Sequence, residues 1–295
     1  MSGRNEAPEL EAAIDGDRYR MLVLDLDGTL LDRYRRVRWE DVQAVEALRA
    51  HGVHVTIATG RLYSGTRDIA RRLSIRDTVA CMNGSELVDT ASDRVLSGRY
   101  LPPPVLHEAR RLLMGAGVTT VLFGSDTIHY CPDALPHMRY LRSWSQRFTE
   151  WESIYDPGPW ERRHDLLAVV AVGPWRAIDT VSRAITERVD LATTEVLAFP
   201  SGDGRRGFLM VRDRGEDKGT ALRAMAAARQ LDAAQCVCVG DWINDVPMLQ
   251  SSALSFAMSG TPDWLQQAAD HVLETPTQHG GAVVEVARRV WGVTI

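Results

Sequence analysis

The chain has 295 residues, 45% hydrophobic and 25% charged, with a formal net charge of −5 from 34 basic and 39 acidic side chains. This is globular composition, long enough for one large or two medium domains, and nothing in it suggests a nucleic-acid surface, although Arg greatly outnumbers Lys. No stretch is apolar for long enough to span a bilayer, and the polar, acidic N-terminus lacks the apolar centre of a secretion signal, so the expectation is a cytoplasmic protein with a disordered leader over residues 1–18.

The run Met21-Leu22-Val23-Leu24 predicts a buried strand. Asp25-Leu26-Asp27-Gly28-Thr29-Leu30 follows at its end. In open α/β sheets ligands bind at that edge. Two adjacent acids there repel each other unless a cation or a shared proton relieves them. After a charged loop over 33–40, a helix is expected from Asp41, with Asp41 as its N-cap and Gly52 as its stop. Val53–Ala58 predicts a second strand, ending at Thr59-Gly60-Arg61, and a helix follows from about Tyr63 to Leu73. Thr78–Met82 predicts a third strand, ending at Asn83-Gly84. Strands alternating with helices in this way predict a parallel sheet.

The rhythm changes over 85–212. Short strands alternate with turns: a hairpin from Leu87–Val88 and Val95–Tyr100, a second from Val118–Phe123 and Thr127–Tyr130, then strands at Leu166–Val172, Val196–Phe199 and Phe208–Val211. Helices are expected at Pro104–Met114, Leu135–Arg147 and Trp175–Arg188. This pattern predicts an inserted α+β domain with a mostly antiparallel sheet. Parallel-type order resumes at Lys218, with a helix over Thr220–Gln230, strands at Cys236–Val239, Leu254–Met258 and His271–Leu273, a helix near Pro262–Ala269, and a last helix over Ala282–Val290. The expected division is therefore a core of 19–84 and 213–295 and an insert of 85–212. Cys236 and Cys238 alternate on one strand and share a buried face as reduced thiols; no Cys/His spacing supports zinc.

Three of the core strands end in acids or hydroxyls: Asp25/Asp27, Thr59, and Asp241 with Asp245. Lys218 opens a helix of the same core. Singly these are ordinary. Asp27-Gly28 and Thr59-Gly60 read as turns, Asp241 and Asp245 as helix caps, and Lys218 as a solvated charge. Their joint order carries the signal.

That order resembles the haloacid dehalogenase-like hydrolase superfamily, in particular its Cof-type branch, whose cap is inserted between the second and third motifs. The resemblance covers nearly all of residues 20–290. It rests on Asp25-Leu26-Asp27-Gly28-Thr29-Leu30, Ala58-Thr59-Gly60-Arg61, Asp217-Lys218-Gly219 and Gly240-Asp241-Trp242-Ile243-Asn244-Asp245, with Met82-Asn83-Gly84 before the insert and Pro247-Met248-Leu249 after the fourth motif. One departure is Ser259-Gly260-Thr261-Pro262, where the family usually carries Asn-Ala. The implied fold is a Rossmann-like parallel-sheet core, helices on both faces, with an inserted α+β cap.

The resemblance assigns Asp25 as the nucleophile that forms an acyl phosphate, and Asp27 as the group that protonates the leaving oxygen and later activates water. Mg²⁺ would relieve the anionic cluster, held by Asp25, the backbone carbonyl of Asp27 and Asp241, with Asp245 orienting or joining that shell. Thr59, Gly60, Gly28, Lys218 and Asn244 are the expected phosphate-binding residues, and Asn83 and Gly84 candidates for substrate contact or a hinge. The implied activity is a Mg²⁺-dependent phosphatase of small phosphate monoesters, sugar phosphates foremost. A phosphotransferase or mutase would use the same aspartyl phosphate, and a ligand-binding relic of the fold has no reason to keep all six polar side chains. Trp144, Trp151, Trp160 and Trp175, with Arg162-Arg163-His164, read as cap packing rather than as a substrate pocket.

Overall fold

The computed structural model describes residues 16–156, 158, 160, 163–201 and 204–295. Most of the expected leader, and Arg162, lie outside the described residues. Strands run in chain order as β1 (Met21–Leu24), β2 (His54–Ile57), β3 (Thr78–Cys81), β4 (Glu86–Asp89), β5 (Arg94–Gly98), β6 (Thr119–Gly124), β7 (Thr127–Tyr130), β8 (Phe148–Glu150), β9 (Leu166–Pro174), β10 (Thr194–Pro200), β11 (Arg206–Asp213), β12 (Cys236–Gly240), β13 (Leu254–Ser259) and β14 (His271–Pro276).

Five of them form a parallel sheet in the order β14-β13-β12-β1-β2. All residues of β1 and β12 are buried, which is why both read as unbroken apolar runs: helices cover the two faces. Leu22, Leu24, Val237 and Val239 pack on one side with the Trp39–Ala50 and Ala282–Trp291 helices. Met21, Val23, Cys236 and Cys238 pack on the other, under the Lys218–Ala228 helix. The chain leaves β1 toward β2 and leaves β12 toward β13, in opposite directions. The crevice between the ends of β1 and β12 is therefore a topological switch point, where such sheets bind ligands.

A six-stranded sheet, β10-β11-β9-β6-β7-β8, forms the cap. It is antiparallel except at the short β7–β8 pair. The Pro103–Leu113 and Trp175–Thr186 helices cover one face. The other face packs through Val121, Phe123 and Val170 onto Leu62 and Met82 of the core.

Several local expectations change. The third strand does not extend the parallel sheet. It touches β2 through one bridge, Ala58 to Ala80, and pairs antiparallel with β4, so the first hairpin of the insert sits beside the core. The expected long helix over 135–147 is a 3-10 segment, Pro132–His137, followed by the Met138–Trp144 helix, since Pro136 lacks the N–H that an α-helix interior needs. Asp41 does not cap its own helix, which starts at Trp39. It is buried and accepts hydrogen bonds from the backbone N–H groups of Gly281 (2.7 Å), Val283 (3.2 Å) and Val284 (3.4 Å), capping the C-terminal helix instead.

The four tryptophans of the cap are packing residues. Trp144 meets Phe123 edge to face at 5.4 Å, Trp160 is buried with its indole N–H on the Ile154 carbonyl, Trp151 donates to His129, and Trp175 packs on the cap core. No described helix is long and apolar enough to cross a membrane.

Candidate active site

The motifs reach the switch point from different elements. Asp25 directly follows β1, and its N–H binds the Val239 carbonyl (3.1 Å), fixing the start of the turn against β12. Gly28 has φ 93°, and a Cβ there would collide with the Asp241 carboxylate. Only glycine lets the β1 turn pass this close to Asp241. Thr277, unsuspected from the sequence, closes this corner: its hydroxyl contacts both the Gly28 carbonyl (2.9 Å) and Asp241 Oδ2 (3.0 Å).

Lys218 is the first residue of its helix, whose N-cap Asp217 accepts from Thr220 N–H (2.7 Å). The Lys218 side chain is wholly buried. Its Nζ lies 2.5 Å from Asp25 Oδ1 and 2.6 Å from Asp245 Oδ1. The other Asp245 oxygen accepts from the N–H groups of Asp241 (2.8 Å) and Trp242 (2.9 Å). Both oxygens of Asp245 are thus committed to holding the lysine and the turn after β12.

Oxygens of Asp25, Asp241 and Asp245 all lie within 4.8 Å of one another. Burial pushes the Asp25 carboxyl well above its usual range; Lys218 opposes the shift, and Asp245 and Asp241 reinforce it. Asp241 is pushed up to about 7 by burial and by Asp245, against its bond to Thr277 and the Lys218 charge. Burial works against the Lys218 ammonium too, but Asp245 and Asp25 outweigh it and raise its pKa, so it stays charged. Lys218 contacts two of the three acids, Asp25 and Asp245. The remaining negative charge and hard oxygen donors suit a divalent cation such as Mg²⁺.

Thr59 is buried behind β2; its hydroxyl accepts from the Arg61 N–H (3.2 Å) and its N–H binds the Ala80 carbonyl (2.9 Å). Met82, Asn83 and Gly84 all have positive φ (48°, 56° and 100°). For the two non-glycine residues that conformation costs on the order of 1 kcal/mol each. Bonds from Met82 N–H to the Arg61 carbonyl (2.9 Å) and Asn83 N–H to the Thr59 carbonyl (2.8 Å) hold it. The Asn83 side chain then accepts from Asn244 Nδ2 (2.9 Å), beside Gly60. Gly84 packs against the Asp217 carbonyl at the head of the Lys218 helix. Asp27 stands apart from the lysine. Its carboxylate is half-exposed and gripped by Arg61, a residue within the second motif to which the sequence assigned no role.

A buried lysine and a cluster of acids thus meet at the sheet's switch point, beside a hydroxyl-bearing turn, in the arrangement of an enzyme's active site rather than of a structural ion pair. The family model for haloacid dehalogenase-like hydrolases matches residues 22–285, and the chain belongs to that family. It is similar to the putative phosphatase YxeH of Bacillus subtilis, with 25% identity over 283 residues covering 90% of this chain and 96% of the relative. The HMP-PP phosphatase of Yersinia pseudotuberculosis is 26% identical over 252 residues, 84% of this chain and 87% of that protein. Among solved structures, a haloacid dehalogenase-like hydrolase from Bacteroides thetaiotaomicron superposes with a TM-score of 0.77 at 18% identity, over 93% of this chain and 99% of that one, a likeness of fold.

Proposed function

We propose that this chain is a Mg²⁺-dependent phosphatase of small phosphate monoesters, sugar phosphates foremost, working through an aspartyl-phosphate intermediate on Asp25. The observation that carries the reading is the convergence of Asp25, Lys218, Asp241 and Asp245 at the β1/β12 switch point. The Asp25 carboxylate attacks phosphorus, and the bond from phosphorus to the leaving oxygen breaks. Asp27 gives its proton to that oxygen, then takes one from the water that attacks the phosphoenzyme, which returns Asp25 and frees phosphate.

Asp25, the Asp27 carbonyl and Asp241 would hold Mg²⁺, with Asp245 orienting them, because both its oxygens are already engaged. When bound, the ion supplies charge neutralisation between the anionic nucleophile and the anionic substrate. Thr59, Gly60, Gly28, Asn244 and Lys218 form the phosphate cradle, with Lys218 placed at a helix N-terminus whose dipole favours an anion. Asn83 and Gly84 line its edge. Of the expected insert of 85–212, the six-stranded sheet and its two helices close over the cradle and select the leaving group, while the hairpin of β4 and β5 stays with the core.

The test is a phosphate-release screen over sugar phosphates, nucleotides and cofactor phosphates in water, with chelator and with Asp25→Asn. Release that stops in excess chelator, returns with Mg²⁺ and is absent from Asp25→Asn supports the reading. Wild-type release from Asp25→Asn contradicts it. Phosphate transfer to an added alcohol without release to water would favour a phosphotransferase.

A further inference from the structure

The carboxylates of the first motif pair with different basic side chains. Lys218 holds Asp25, and a separate buried guanidinium holds Asp27. Arg61 Nε donates to Asp27 Oδ2 (2.6 Å) and Nη2 to Oδ1 (2.5 Å), while Nη1 donates to the Gly65 carbonyl (3.1 Å). The Arg61 side chain is only 7% exposed, whereas that of Asp27 is 49% exposed. A planar fork engaging both carboxylate oxygens fixes position and plane together, which a single lysine ammonium cannot do. Arg61 is the one hydrogen-bond donor to the Asp27 side chain among the described residues. An acid at the mouth of the site, otherwise free to rotate in solvent, therefore takes its place from Arg61.

Arg61 is itself anchored. Its N–H binds Thr59 Oγ1, its carbonyl accepts from Met82 N–H, and its third nitrogen rests on the turn that docks the cap. In that turn the Leu62 N–H donates to the Trp144 carbonyl (2.8 Å), and Gly65 lies against the same carbonyl.

We propose that Arg61 is the positioning residue for Asp27, setting the carboxyl group that transfers the proton to and from the reacting oxygens. The inference rests on the reading of Asp27 as acid and base. In the first step Asp25 Oδ forms a bond to phosphorus, the bond to the leaving oxygen breaks, and the proton of the neutral Asp27 carboxyl moves to that oxygen, leaving an alcohol and the Asp27 carboxylate that the Arg61 fork holds. An alkoxide leaves poorly without that proton, whereas p-nitrophenolate leaves as the anion. Misplacing Asp27 therefore penalises alkyl esters far more than p-nitrophenyl phosphate.

The experiment measures the first burst of leaving-group release from glycerol phosphate and from p-nitrophenyl phosphate, for wild type, Arg61→Lys, Arg61→Met and Asp27→Asn, with folding checked by circular dichroism. Arg61→Lys keeps the charge without the fork and provides the comparison if Arg61→Met does not fold. The expected result is a loss on the alkyl ester of about 10²-fold in the Asp27 and Arg61 variants, with a loss on the nitrophenyl ester at least ten times smaller. If Asp27→Asn discriminates between the esters and both folded Arg61 variants lose equally on the two, Arg61 is structural and the inference is overturned. If Asp27→Asn itself does not discriminate, the acid role of Asp27 fails and the inference falls with it.

Discussion

Lys218 is the residue on which the site's electrostatics turn, since it is fully buried between two carboxylates. Removing one member of a buried ion pair leaves an uncompensated charge, at a cost of about 3–5 kcal/mol. Lys218→Met is thus expected to lower the unfolding free energy by that order as well as to abolish turnover, and urea denaturation measures it. A stability equal to wild type would mean that Asp25 and Asp245 do not depend on the lysine. His129 gives a second expectation at this scale. It is buried in the cap, accepts from Trp151 Nε1 (3.1 Å), and burial, with the Arg163 charge, lowers its pKa from 6.5 to about 4, against Asp165. Between those values the unfolded chain binds a proton that the folded chain does not, so stability falls as pH drops from about 6.5 toward 4, by on the order of 3 kcal/mol in full. His129→Gln should flatten this part of the stability profile relative to wild type; identical profiles would show that the imidazole is not held neutral. At this scale the convergence of Asp25, Lys218, Asp241 and Asp245 was legible because each stands at or just past the end of a strand or at the head of a helix. The roles of Arg61 and Thr277 were not, because their partners lie 34 and 249 residues away and no local pattern encodes that pairing.

Among the elements, the Tyr63–Arg72 helix joins core to cap. Besides the Leu62 bond to Trp144, Ser64 and Ser145 share a hydrogen bond (2.7 Å), and Arg67 pairs with Asp126 (2.9 Å). A Cβ on Gly65 would lie 2.6 Å from the Trp144 carbonyl. Gly65→Ala is expected to destabilise the fold by about 1–3 kcal/mol through this collision, seen as a lower Tm, and an unchanged Tm would show that the docking turn has room to move. Asp41→Ala strips the C-terminal helix of its cap from a distance. A loss of about 1–2 kcal/mol by denaturation is expected; no loss would mean that the freed N–H groups find water. The sequence placed Asp41 at the right kind of position on the wrong helix, since capping preference says what a residue can do and not which N-terminus will come to it. The third strand was misplaced for a similar reason. Its one bridge to β2 is parallel as expected, but a short apolar run does not state how far that pairing extends or that β4 takes the other edge.

At the scale of the whole molecule, the alternation of strands and helices made the parallel core legible, and the change of rhythm after Ser85 announced a second sheet. The strand order was beyond composition and periodicity. It follows from β12 returning beside β1 after an excursion of more than a hundred residues, and that return creates the switch point. The fold thus explains why acids far apart in the chain share one crevice. Phosphorylation of Asp25 is read by rapid acid quench during turnover of a phosphate monoester with Mg²⁺, followed by mass spectrometry of the peptide spanning Asp25. A hydroxylamine-labile phosphoryl group on Asp25, absent from Asp25→Asn, is the expected result; turnover with no phosphorylated Asp25 at any quench time, or a phosphoryl group on another residue, would show that Asp25 is not the nucleophile.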